Sequence, residues 1–317
     1  MKLKTVLIGL GRIGWSLELD SKRYHPCTHA GTLKYLSEYF DLIGVCDRNP
    51  KKIYDFFNWW NSNLISDTDY KNLLLKLKKV DFVIVATGVD SHLEILNFLI
   101  NLKVRLILVE KPISYSTKEL KPIFTKKTNL IYINFERRYH PYYKKVKQII
   151  ERKIFGELIT IYGRVFSKTR KNDPLLEDGI HLLDLILWYL GIPEILNSYW
   201  EFANSQEKRS YHILKKDNIL IFLESGGSRD YFEFHLTFDF TKGRVEIGND
   251  GCTIYRVSVS KKYERFFELK PLKNQLVWEN PWINLYTSIY KEEEDNFLDA
   301  FYGIYLYENL RKAKTNF

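Results

Sequence analysis

Thr5-Val6-Leu7-Ile8-Gly9-Leu10-Gly11-Arg12-Ile13-Gly14 is the stretch that decides the fold. Residues 5–8 are apolar and partly β-branched, which reads as a short buried strand. Gly9, Gly11 and Gly14 follow with the spacing G-x-G-x-x-G. In that pattern the first glycine permits a tight turn, the second lets backbone approach a pyrophosphate, and the third lets the next helix pack on the sheet. The reading predicts a helix over 12–18 whose N-terminal N–H groups face the phosphates. A second apolar strand, Leu42-Ile43-Gly44-Val45-Cys46, ends in Asp47. An acid there accepts hydrogen bonds from a ribose, favouring NAD, whereas Arg48 leaves room for the 2′-phosphate of NADP.

Outward from this motif, strands near 4–9, 41–46, 64–66, 81–86, 105–109 and 130–134 alternate with helical segments. Continuous apolar strands in such alternation imply a parallel, doubly wound Rossmann sheet, an α/β fold. Beyond this region the pattern changes to helices over 141–153 and 180–190 and then a run of strands. Phe232, Phe234, Leu236, Phe238 and Phe240 alternate with polar residues, predicting a strand with one buried face. The expected organisation is a nucleotide-binding domain at 1–122 and an α+β domain at 123–317 with a large, mostly antiparallel sheet. That sheet is expected to carry a homodimer or homotetramer interface.

The 317 residues suit two domains, and 45% hydrophobic and 27% charged residues are ordinary for a soluble protein. Three cysteines, Cys27, Cys46 and Cys252, lie far apart, as in a reducing compartment. Without an apolar span or signal pattern, a cytoplasmic protein with no membrane partner is expected. The net charge of +9 suits an anionic metabolite. No zinc finger, recognition helix or basic tail points to nucleic acid.

Further motifs follow in order: Ala86-Thr87 with His92; Glu110-Lys111-Pro112; Asn134-Phe135-Glu136-Arg137-Arg138 with Pro141; Phe155-Gly156-Glu157; and Gly179-Ile180-His181-Leu182-Leu183-Asp184. In this set the chain resembles the glucose–fructose oxidoreductase and inositol dehydrogenase (Gfo/Idh/MocA) family over nearly its whole length. The resemblance implies an NAD-dependent dehydrogenase of a sugar or sugar nucleotide. Lys111 would be the catalytic lysine and His181 its partner or the general base. Gly9, Gly11, Arg12, Ile13, Asp47, Arg48, Thr87, His92, Glu110, Lys111 and Arg138 would hold the cofactor. Arg137 and Tyr142 would face the substrate with His181. The family's aspartate four residues before that histidine is replaced by Glu177, with Asp178 next to it; either carboxylate would serve, Glu177 by register and Asp178 by residue type.

Residues 21–31, Ser-Lys-Arg-Tyr-His-Pro-Cys-Thr-His-Ala-Gly, show no hydrophobic period and read as a loop at the ligand edge. His25, Cys27 and His29 are too close for an ordinary structural zinc site, so no metal is assigned. The loop resembles that of the branch oxidising the 3-hydroxyl of UDP-N-acetylglucosamine for amide-linked lipid A. On that reading Arg23, Arg137, Arg138, Lys168, Arg170 and Lys171 would meet a diphosphate, and His29 would contact the substrate. A dehydrogenase of a free sugar or cyclitol and a non-catalytic dinucleotide sensor are the alternatives.

Overall fold

The computed structural model describes residues 1–61, 64–168, 173–203, 206–249, 251–273 and 277–315. Two compact units result: Met1–Tyr139 with Glu279–Phe301, and His140–Trp278 with Tyr302–Phe317. The expected division at 122/123 therefore lies elsewhere. The first unit needs the strand and turn up to Tyr139 to complete its sheet, and takes a helix from late in the chain to cover it.

In the first unit, β1 (Leu3–Ile8), β2 (Phe40–Cys46), β3 (Ile65–Asp67), β4 (Phe82–Val85), β5 (Leu106–Val109) and β6 (Leu130–Ile133) form a parallel sheet in the order β3-β2-β1-β4-β5-β6. β4 and β5 are buried along their whole length, the burial that continuous apolar strands require. Helices α2 (Pro50–Trp60), α3 (Tyr70–Lys76), α4 (Val89–Asn101) and α5 (Thr117–Lys126) connect the strands. Asn49, Asp69 and Ser116 cap α2, α3 and α5 by accepting backbone N–H groups. Helix α9 (Pro281–Tyr290) inserts Trp282, Leu285, Tyr286 and Ile289 into the core formed with Leu7, Phe40, Phe82 and Leu106.

The helix expected over 12–18 is absent. A turn and a 3₁₀ segment, Ser16–Leu19, stand there, and helix α1 spans only His29–Tyr35. The hydrogen bonds give the reason. His29 N–H donates to Ile13 O at 3.1 Å and Ala30 N–H to Gly14 O at 2.9 Å. In an uninterrupted helix residues 17 and 18 would make these bonds. Residues 15–28 are thus looped out of the helix, which resumes at His29.

The second unit holds a sheet in the order β14-β13-β12-β11-β7-β10-β9-β8-β15. Its main strands are β7 (Leu158–Lys168), β8 (Glu194–Ala203), β9 (Gln206–Lys216), β10 (Ile219–Gly226), β11 (Ser228–Phe240), β12 (Gly243–Gly248), β13 (Gly251–Val259) and β14 (Phe267–Pro271), with β15 (Lys314–Thr315) at one edge. The pairing is antiparallel except for β7 with β10 and β8 with β15. On β11, Phe234, Leu236, Phe238 and Phe240 are buried as expected, but Phe232 is exposed. The register between β11 and β7 breaks between Ser228 and Glu233, so alternation starts only at Glu233. Helices α6 (Pro141–Glu151), α7 (Pro174–Glu177) and α8 (Ile180–Leu190) belong to this unit, and α10 (Phe297–Lys312) starts in the first unit and ends in the second. Among the described residues no helix is long and apolar enough to cross a membrane.

Candidate active site

At the carboxyl end of the parallel sheet, β1 runs into the glycine turn. Gly9 has φ of +101°, and a Cβ there would lie 2.5 Å from the Ala86 carbonyl oxygen, so only glycine fits. A Cβ on Gly14 would sit 2.3 Å from Gly9 O, the close packing the motif requires. Gly11 instead faces open space, with nothing within 4 Å of a built Cβ. It opens onto a cleft of about 600 Å³ that Gly9, Asp47, Arg48, Thr87, Gly88 and Tyr70 also line. The cleft has the size of a ligand site and lies where α/β sheets bind nucleotides.

Asp47 Oδ2 accepts the Leu10 N–H at 2.8 Å and Oδ1 the Asn49 N–H at 2.9 Å, with Lys52 Nζ at 3.5 Å. The carboxylate therefore ties the glycine turn to the end of β2 and keeps lone pairs for a ribose. Ser91 donates to Thr87 Oγ1 at 2.8 Å on the opposite wall. Arg12 is exposed and Ile13 packs against the core. Bare backbone at Gly11, an acid at the β2 end and an open cleft are the features an NAD molecule needs.

Lys111 follows β5 directly. The preceding Glu110 is buried, and its Oε1 accepts from His29 Nε2 at 3.0 Å and from the Asn134 amide, while Oε2 accepts the Lys111 N–H at 3.3 Å. Burial pushes the Glu110 carboxyl up, but the donors His29 and Asn134 and the Lys111 charge outweigh it and hold the group below its usual range. Glu110 is therefore a buried carboxylate whose two oxygens accept from protein donors. His92 is also buried, with its two ring nitrogens each 3.0 Å from the carbonyls of Pro112 and Thr87. It lies between the loops after β4 and β5, where its one N–H can serve either carbonyl. Arg138 is buried, pairs with Asp299 at 2.5 Å and lies over the Phe135 ring.

The largest revision concerns His29. Its expected place was a substrate loop; instead it is fully buried, and its Nδ1 lies 2.7 Å from the Tyr286 hydroxyl. The looped-out segment ends at its N-cap, Thr28, which turns the ring inward. Arg23 does sit in the loop, exposed and 3.3 Å from Asp20. Glu18 organises this loop, accepting from Cys27 N–H, the Thr28 hydroxyl and the His25 ring at 3.1, 2.7 and 3.1 Å. Glu18, His25 and Cys27 place possible ligand atoms within 4.8 Å of one another. The Cys27 thiol is pushed up to about 12 by burial and Glu18, so it is protonated in this hydrogen-bonded arrangement.

Two residues outside the expected set also belong to this region. The Glu136 carboxyl is raised by burial, against the pull of Arg137 and Lys111. Tyr24 is raised to about 12, first by burial and then by the Glu136 charge. No sequence periodicity marks Tyr24, and Glu136 is followed by two arginines whose charge is the stronger signal in that motif.

In the second unit, His181 and Asp184 are buried in the first turns of α8, and His181 lies edge-on to Phe234, with ring centres 6.5 Å apart. Glu177 ends α7 and Asp178 follows it; Asp173 caps that helix and accepts from Tyr307. Tyr142 opens α6 beside the His140 ring. The side chain of Lys168, and Arg170 and Lys171 altogether, lie outside the described residues.

Comparison with known proteins follows the same lines. Residues 3–135 match the Gfo/Idh/MocA profile, an oxidoreductase family with an NAD-binding Rossmann fold. The chain is similar to inositol 2-dehydrogenase of Salmonella typhimurium (strain LT2), 22% identical over 200 residues, which cover 60% of this chain and 55% of that protein. It thus spans about half the length of the curated relatives it matches. Its fold is similar to that of an NADPH-dependent oxidoreductase from Desulfitobacterium hafniense (TM-score 0.79, 16% identity, 98% of this chain and 95% of the other). It is also similar to the WlbA dehydrogenase from Bordetella pertussis, solved with NADH and UDP-GlcNAcA (TM-score 0.77, 15% identity, 99% and 96%). Residues 3–135 match the Gfo/Idh/MocA oxidoreductase family and form an NAD-binding Rossmann domain.

Proposed function

We propose that the protein is an NAD-dependent dehydrogenase that oxidises a secondary ring hydroxyl of a sugar nucleotide, with C3 of UDP-N-acetylglucosamine as the best-fitting case. The observation that carries this reading is Lys111, presented at the carboxyl end of β5 by a buried carboxylate, on the sheet end that holds the nucleotide cleft. Bound NAD⁺ supplies the hydride acceptor. Asp47 and the glycine turn hold the dinucleotide, Lys111 accepts the hydroxyl proton or relays it, and His181 with Glu177 or Asp178 orients the sugar. Arg23 and Arg137 supply positive charge for a diphosphate. That WlbA was solved with NADH and a UDP sugar supports the substrate class.

The test is NADH production from NAD⁺ and UDP-N-acetylglucosamine in the presence of a carbonyl trap, with free N-acetylglucosamine as control. NADH formed only from the nucleotide sugar supports the assignment; equal turnover of both sugars sinks the diphosphate part of it. The similarity to inositol 2-dehydrogenase favours a second reading, a free-cyclitol dehydrogenase. In that case replacing Arg23 and Arg137 together by alanine leaves KM for the cyclitol unchanged. The sheet of the second unit exposes Tyr162, Tyr211 and Leu220, and this supports a homo-oligomer built on that face.

A further inference from the structure

The segment looped out of the first helix ends by delivering His29 to a place no sequence neighbour reaches. Its ring bridges Tyr286, on α9, and Glu110, at the end of β5, at 2.7 and 3.0 Å. All three side chains are buried, and His29 and Tyr286 are wholly sealed from water. Tyr286 stays protonated, because burial and the Glu110 charge raise its phenol well above 10. Its O–H thus donates to Nδ1, which leaves the proton on Nε2 to be given to Glu110. Asn134 makes a second donation to Glu110, while its own Oδ1 is buried and meets no donor.

We propose that the chain Tyr286–His29–Glu110 is a positioning device for Lys111, with His29 as its essential link. An isolated buried carboxylate would take up a proton. Donors from His29 and Asn134 keep Glu110 ionised and fix its rotamer. Its Oε2 then holds the Lys111 N–H, while His92 holds the carbonyl of Pro112 on the other side. The Lys111 backbone is held at its N–H, and the carbonyl of the next residue, Pro112, lies 3.0 Å from His92 Nδ1, so the side chain is launched from a fixed origin. Tyr286 selects the ring tautomer; His29 itself touches neither cofactor nor substrate.

The proposal rests on Lys111 being catalytic, so its test has one readout of turnover and one without. Full-length His29→Leu, His29→Gln and Tyr286→Phe are compared in NAD⁺-dependent oxidation of UDP-N-acetylglucosamine. Gln can accept from Tyr286 and donate to Glu110; Leu fills the space without either bond. His29→Leu is expected to lower kcat by about 100-fold, the scale of a displaced catalytic group, with NADH affinity within about 3-fold of wild type. His29→Gln is expected to recover at least about 10-fold of that loss, and Tyr286→Phe to lose about 10-fold. Equal loss in the Leu and Gln variants, or full kcat in His29→Leu, overturns the proposal. The second readout is the ¹⁵N ring shifts of His29 in the intact protein. They are expected to show protonated Nε2 and bare Nδ1, and Tyr286→Phe is expected to disturb that pattern. A bare Nε2 overturns the device whether or not any sugar is turned over, and an inactive wild type with the expected shifts rejects the substrate assignment alone. If His29→Leu does not fold, Tyr286→Phe carries both readouts.

Discussion

Asp47 Oδ2 accepts the backbone N–H of Leu10 at 2.8 Å, so one carboxylate both shapes the glycine turn and faces the nucleotide cleft. The two duties separate by substitution. Asp47→Asn keeps an oxygen for Leu10 but removes the charge that binds ribose hydroxyls. A charged hydrogen bond contributes about 1.5–3 kcal/mol, hence a loss of about 10- to 100-fold in NADH affinity. Asp47→Ala also frees the turn and is expected to lose more. Fluorescence titration with NADH checks both; equal affinity in wild type and Asp47→Asn removes the ribose contact from the account.

Lys111→Ala is expected to lower kcat by about 10³-fold, within the range for a lost general acid–base group. NADH binding is expected to persist, because Gly9, Gly11, Asp47 and Thr87 line the cleft independently of Lys111. Single-turnover NADH formation after rapid mixing reads the step directly. Wild-type rates in the variant would assign the proton transfer elsewhere.

Much of this site was legible in the residues before any coordinates. The apolar runs at 5–8, 82–85 and 106–109 became fully buried parallel strands because their length and β-branching suit nothing else. Phe234 to Phe240 gave one buried face because the strand period is two. The early break of the first helix and its resumption at His29 were not legible. Residues 21–31 with Pro26 read as a loop, but the resumption of the helix at His29 exists only as two backbone hydrogen bonds. Nor was the inward turn of His29, since its partners Glu110 and Tyr286 lie far along the chain. A histidine in a polar loop that also carries Lys22 and Arg23 looks like an anion ligand until the fold buries it.

The His212 imidazole is buried between Ser198 Oγ at 2.9 Å and Ser210 Oγ at 3.0 Å, and burial lowers its pKa from 6.5 to about 3. A depressed histidine pKa means the unfolded chain binds the proton more tightly. Stability from this group is therefore complete above pH 6.5 and is lost as pH falls from 6.5 toward 3. Acid titration followed by circular dichroism is expected to show that loss in wild type. His212→Asn, though less stable at neutral pH, is expected to show a shallower dependence over the same interval. Parallel curves would place the acid sensitivity in other groups, His92 among them.

Tyr162 and Phe222 stack at 5.1 Å on the exposed face of the second unit's sheet, on neighbouring strands β7 and β10. Paired aromatics left open to water are costly unless covered, and a second copy presenting the same face would cover them symmetrically. Tyr162→Asp places a charge in the middle of that face. It is expected to shift the protein to monomer in light scattering, with the circular dichroism spectrum unchanged. A wild-type protein that is already monomeric at working concentration would remove this face as the interface.

Phe56 is fully buried and meets Trp15, Trp59 and Trp60 with ring centres 5.9, 5.9 and 5.6 Å away. Trp15 opens the looped-out segment and its Nε1–H donates to Leu10 O at 3.1 Å. The aromatic cluster thus joins α2 to the base of the glycine turn. Phe56→Ala removes the ring all three indoles share and is expected to cost about 3–5 kcal/mol of stability. Because Trp15 loses its support, NADH affinity is expected to fall as well, which a remote core cavity would not cause. Denaturant unfolding and NADH titration on the same variant decide it: a large stability loss with unchanged affinity would show that the cluster holds the core but not the turn.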